Sequence, residues 1–175
     1  KISGIVDLID KDTVLVDVGG LGYMVNISLN TKNRLPQVGE KIALYTEMMV
    51  REDSIQLIGF STALEKDWFR LLISVQGVGA KAAMAILSVL PPVDLTNAII
   101  SGDKAMVARA DGVGPKLAQR VVNELGEKIG KIVALGGALP TVHAGVEASA
   151  NASVGAGGAT AGLFDDAVSA LANLG

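Results

Sequence analysis

Two short segments carry the residue types best suited to holding an anion. Gly77-Val78-Gly79-Ala80-Lys81 and Gly112-Val113-Gly114-Pro115-Lys116 lie 35 residues apart, with Val78 matching Val113, Lys81 matching Lys116 and Ala83 matching Ala118. In each, two glycines allow a turn with positive φ and let another backbone come close without a Cβ in the way. A helix starting straight after such a turn presents unpaired N–H groups and the positive end of its dipole. Pro115 suits the first helical turn, where its missing N–H costs nothing. Each lysine stands one turn further in, placed to reach a phosphate. Arg120, four residues past Lys116, falls on the same face. Its counterpart in the first copy is Ala85, so the second copy is the more basic. One such segment alone reads as an ordinary helix–turn–helix with capping glycines; a matched pair argues for a shared ligand.

Several other chemistries are excluded by missing residues. Cysteine is absent, which removes disulfides, cysteine-ligated zinc, iron–sulfur clusters and a thiol nucleophile. The single histidine, His143, cannot supply a histidine metal site or a catalytic triad. Gly-x-Gly also opens a dinucleotide fingerprint, but the third glycine is missing and the segment follows a helix-like stretch, not a strand. No Walker A loop occurs anywhere. Six aromatic residues are too few for a ligand cage or a base-stacking platform. The expectation is a protein without cofactor or metal, with no segment near the roughly 20 apolar residues a membrane helix needs, and cytoplasmic in location.

These motifs sit in a chain of changing character. Residues 1–61 hold six basic and eight acidic side chains, residues 62–132 nine and seven, and residues 133–175 none and three. Phosphate affinity depends on Lys and Arg, so contact with nucleic acid belongs to the middle segment. The first sixty residues read as five strands: Lys1–Ile9, Thr13–Val18, Tyr23–Ile27, Lys41–Val50 and Ile55–Phe60. Gly19, Gly20 and Gly22 mark a bend between the second and third, and 30–36 is a polar break holding at most one helical turn. Five short strands broken after the third suit a small closed barrel of the OB type. From Ala63 the apolar spacing turns helical, through Leu64, Trp68, Leu71, Leu72 and Val75. Further helices are expected at about 80–90, 94–100, 103–109 and 115–130, with Trp68 and Phe69 in the core. Residues 133–162 lose periodicity and hold seven Gly and nine Ala, the composition of a flexible linker. Asp165-Asp166 then caps a helix running to Leu171.

Paired glycine hairpins of this kind resemble the helix-hairpin-helix module, which binds DNA backbone without reading bases. A five-stranded barrel, Val50-Arg51-Glu52-Asp53 before a strand ending Gly59-Phe60, and two Gly-Val-Gly-x-Lys hairpins in that order resemble the RuvA family of Holliday-junction-binding subunits. The likeness covers roughly residues 1–132; the tail resembles the family only in layout. It implies an α+β multidomain chain. An OB-type barrel (1–61) precedes a tandem helix-hairpin-helix domain (62–132), a linker (133–162) and the first helix of a shortened C-terminal helical domain (163–175).

The resemblance also implies partners and roles. Four copies would hold the arms of a four-way junction on a basic face formed by Gly77, Val78, Gly79, Ala80 and Lys81 together with Gly112, Val113, Gly114, Lys116 and Arg120. RuvB, a hexameric ATPase, would pump the DNA and consume the ATP. Its contact is in doubt because the chain ends after one C-terminal helix, as a shortened chain would. Taken alone, Arg51-Glu52-Asp53-Ser54 is a charged hairpin tip of the kind solvated turns prefer. The resemblance makes Glu52 and Asp53 an acidic pin at the crossover. Two rivals remain: a helix-hairpin-helix glycosylase or nuclease using Asp94, Asp103 or Asp111, and a single-strand-binding OB protein.

Overall fold

Alternate side chains of a strand face opposite sides, and Thr13–Val18 uses that alternation to bury Val14 and Val16 completely. The computed structural model describes residues 1–52 and 54–134, with side chains through Ile129. Strands β1 (Ile2–Ile9), β2 (Thr13–Val18), β3 (Leu21–Ile27), β4 (Lys41–Val50) and β5 (Ile55–Phe60) close a barrel in the order β1-β2-β3-β5-β4. Neighbours run antiparallel except β3 and β5, which are parallel from Val25–Leu57 to Ile27–Gly59. That parallel step requires a crossover, which runs through the short α1 (Leu29–Lys32) and β4. Val6, Val14, Val16, Val25, Ile27, Ile42 and Leu44 fill the interior. This is the OB-type barrel expected from the strand pattern. The third strand begins at Leu21 and not at Tyr23, because Gly22 pairs with Asp17 inside the ladder. Gly19 and Gly20 alone make the bend, both at positive φ.

The helices are α2 (Ala63–Ile73), α3 (Ala80–Val89), α4 (Pro92–Ser101), α5 (Lys104–Val107) and α6 (Pro115–Ala134). Thr62 caps α2, its hydroxyl accepting from the Glu65 N–H at 3.1 Å. α4 starts two residues before the expected 94. Pro91-Pro92 reads as a break, yet Pro92 is the helix's own first residue, where a missing N–H is harmless. α5 is shorter than 103–109, since Asp103 lies outside it as the cap. α6 reaches Ala134, so the first two residues of the expected linker are helical. The rest of that linker and the expected helix at 165–171 lie outside the described residues.

Barrel and helices share their packing. Ile58 and Phe60 at the end of β5 belong to one buried cluster with Trp68, Phe69 and Leu72 of α2 and the apolar faces of α3 to α6. The rings of Phe60 and Phe69 lie 5.2 Å apart, tilted by 48°, a favourable aromatic geometry. Trp68 and Phe69 are fully buried, as their helical spacing predicts. Glu65 is buried at the seam. One carboxylate oxygen accepts from the Ser61 N–H (2.9 Å), the Ser61 hydroxyl (2.8 Å) and the Thr31 hydroxyl (3.2 Å). Arg70 of α2 pairs with Glu47 of β4 at 2.8 Å. α1 is tied to α3, where the Leu29 N–H donates to the Ser88 hydroxyl at 3.0 Å and the Asn30 amide to the Leu87 carbonyl. Among the described residues no single helix is long and apolar enough to cross a membrane. α3 and α4 pass that test only as a pair, and they are bent by 98° at their break.

Candidate nucleic-acid interface

The sequence repeat is also a repeat of hydrogen bonds. In the first hairpin the Val78 N–H donates to the Val75 carbonyl at 3.0 Å, and the Ala83 N–H to the Gly79 carbonyl at 3.0 Å. In the second, Val113 donates to Ala110 at 3.1 Å and Ala118 to Gly114 at 2.9 Å. Each turn is set by its first glycine, with φ of 91° at Gly77 and 73° at Gly112. The expectation of positive φ at both glycines of a pair is corrected by Gly79, which is extended at φ −89°, ψ 174°. Gly114 is likewise absent from the positive-φ glycines. The second glycine serves by lacking a side chain. Nothing lies within 4 Å of where a Cβ would stand at Gly79 or Gly114, so both helix starts are open to a ligand.

The other motif residues divide into anchors and contacts. Val78 and Val113 are 6% and 5% exposed, and their N–H groups are used inside the turns; they fix the hairpins in the core. Ala80 is also buried, so its side chain packs while its N–H opens the helix. Gly79 gives α3 no side-chain cap. The first N–H groups of α3, from Ala80 to Ala82, therefore have no intrahelical acceptor. Lys81 and Lys116 are exposed, and among the described residues neither is held in a hydrogen bond or ion pair.

The two hairpins stand side by side. Gly79, Lys81 and Ala82 from the first line one shallow groove with Asp111 and Gly112 from the second. α6 laces them together. Arg120, expected to serve the second hairpin, is exposed and donates one N–H to the Gln76 carbonyl of the first at 3.1 Å. Lys128 donates to the Ser74 hydroxyl in the same loop at 2.7 Å. Sequence reasoning missed Asp111 as a groove residue and Lys128 as a strut. Both depend on how segments far apart in the chain pack, for which the sequence carries no local signal. Of the acids considered for catalysis, Asp103 caps α5 by accepting from the Ala105 and Met106 N–H groups at 3.0 and 3.2 Å. Asp94 is an exposed residue in the first turn of α4.

Away from the groove, β4 and β5 pair as far as Val50 and Ile55, and the Arg51 N–H closes the turn on the Ser54 carbonyl at 2.8 Å. Glu52 is exposed at this tip; Asp53 lies outside the described residues. Below the tip Met48, Val50 and Ile55 are 61%, 67% and 72% exposed, an apolar stem beneath a charged end.

Comparison with known proteins agrees with this arrangement. Residues 1–59 match the family described as RuvA N terminal domain, and residues 69–127 match the SAM-like Helix-hairpin-helix tandem. The chain is 49% identical, over its whole length and 81% of the relative's, to the Holliday junction branch migration complex subunit RuvA of Rhodospirillum centenum. This chain belongs to the RuvA family. The RuvA subunit of Paracoccus denitrificans is 52% identical over the whole chain and 82% of its own length. That of Sphingopyxis alaskensis is 46% identical over the whole chain and 80% of its own. The RuvA resemblance seen in the barrel, the acidic turn and the two hairpins thus extends along the entire chain.

Proposed function

We propose that this RuvA-family chain holds four-way DNA junctions by their sugar–phosphate backbones, as a non-catalytic, cofactor-free subunit of a branch-migration complex. The observation that carries the reading is the pair of matched, open hairpins on one groove, with Lys81 lining it and Lys116 exposed at the start of α6. Phosphate oxygens accept from the outward N–H groups at the starts of α3 and α6, and the helix dipoles and lysines add charge attraction. Such contacts position a protein on DNA and carry no sequence information. The arrangement suits a partner defined by shape, one that occurs at any sequence. The ATP-driven work falls to the partner ATPase RuvB, in the cytoplasm.

Four copies around an axis would give each arm one pair of hairpins and bring the β4–β5 tips together where strands cross. Glu52 and Asp53 would there repel phosphates and keep the crossover open. A gel shift with four-way junction, duplex and oligo-dT tests this reading. The junction is expected to bind tightest. Lys81→Ala with Lys116→Ala should weaken binding at every sequence and lower the salt slope by about 0.9 per lysine removed, roughly seven for four copies. Preference for oligo-dT, strand cleavage without added ATPase, or an unchanged salt slope would overturn it.

A further inference from the structure

We propose that the cleft between the barrel and α3 receives one unpaired nucleotide of the strand passing from a hairpin-held arm to the crossover. The cleft encloses about 380 Å³, within the usual range for small-molecule sites. The inference rests on the junction-binding reading and adds a second kind of contact to it.

The lining fits a nucleotide in both of its parts. Met84 and Ala85 of α3, both half-buried, supply apolar surface for the flat face of a base. The lining also holds Asp12 from the β1–β2 turn, Asn26 from β3, Gln56 from β5 and Lys81 from α3, which bring a carboxylate, two amides and an ammonium to one cleft wall. Asn26 donates one N–H to the Leu57 carbonyl at 3.3 Å, which leaves its oxygen free to accept. Among the described residues the side chains of Asp12, Gln56 and Lys81 have no partner. Carboxylate and amide oxygens accept from the exocyclic amines that three of the four DNA bases carry, and the Gln56 amide donates to base carbonyls. Lys81 meets the phosphate. Such a set tolerates sequence, as a protein acting on moving junctions requires.

Placement selects the occupant. Lys81 lines both this cleft and the groove between the hairpins. Gln56 pairs with Met49, one step below the Val50–Ile55 pair that ends the ladder under the acidic turn. The cleft therefore links the surface that grips duplex to the strand that carries the tip, along the course a strand follows on leaving its helix.

The test compares two four-way junctions, one fully paired and one with a single unpaired nucleotide in each strand at the crossover. Binding of the full 175-residue chain is read by fluorescence anisotropy. Each cleft filled should add roughly fivefold in affinity, the worth of about one net hydrogen bond, so the second junction should bind tighter by at least that factor. Gln56→Ala removes an exposed side chain and Ala85→Leu fills the cleft from its α3 wall; each should bring that ratio towards one. Free deoxyadenosine monophosphate as competitor should leave the ratio unchanged. Equal affinity for both junctions, or a ratio that survives both substitutions, would overturn this inference and leave the junction reading standing. A ratio abolished by the free mononucleotide would make that the occupant and overturn the strand assignment. Failure to bind either junction would overturn both readings together.

Discussion

Asp111 places a carboxylate in a groove whose other features favour anions. It shares that groove with Lys81, while the matching position in the first hairpin is the neutral Gln76. A carboxylate beside a bound phosphate lowers affinity, with an effect that salt screens. Asp111→Asn should therefore tighten junction binding two- to fivefold at low salt, roughly 0.5–1 kcal/mol, and the gain should shrink as salt rises. Weaker binding in an anisotropy titration would count against a phosphate in that groove. Glu52→Gln is expected to leave junction affinity equal or higher while altering ATPase-driven migration; a large loss of affinity would make the carboxylate structural. The exposed position of Lys81 and Lys116 just inside their helix starts was legible in the sequence because their relation to the glycines is local. The Arg120–Gln76 contact was not, since it spans 44 residues and depends on packing that no short spacing encodes.

At the scale of elements, the two glycines of a hairpin make separable demands. Gly77 occupies the left-handed region at φ 91°, where a side chain costs about 1–2 kcal/mol. Gly77→Ala should lower the melting temperature by several degrees. Gly79 is extended with open space around it. Gly79→Ala should change stability by at most about 1 kcal/mol yet weaken DNA binding, because the new methyl stands where the phosphate backbone approaches. Calorimetry and gel shift on the two variants separate fold from contact; equal losses in both would merge the roles. Glu65→Ala should destabilise the seam between barrel and helices by about 2–3 kcal/mol, leaving three donors without their acceptor. The bounds of β2 and β4 were legible because flanking glycine or charge marks both ends, and those of β5 because a largely apolar run lies between the charged turn and the polar Ser61-Thr62. α4 was misplaced because Pro-Pro signals a stop and a start alike, and α5 because a capping Asp103 looks like a helical residue until its φ and ψ are seen.

For the whole molecule, charge and shape pull against each other. The chain carries a formal net charge of −3, so attraction to DNA must be local to the hairpin face and strongly dependent on salt. Two lysines from each of four copies would give a log–log slope of about −7 for junction binding. A slope near −2 at full occupancy would exclude an assembly gripping all four arms. The RuvA resemblance was legible across the first 132 residues because the barrel pattern, the acidic turn and the twin hairpins occur in a fixed order. How barrel and helices dock was not legible, since it rests on the outer face of β5. Ile58 and Phe60 belong to the same strand as the tip, and they are also the footing on which α2 and its partners pack. The strand that carries the tip and the helices that carry the hairpins thus share one buried core, like the two arms of a caliper on one pivot. Were copies arranged about an axis as proposed, they would form a jig, and DNA entering it would take up the jig's dimensions.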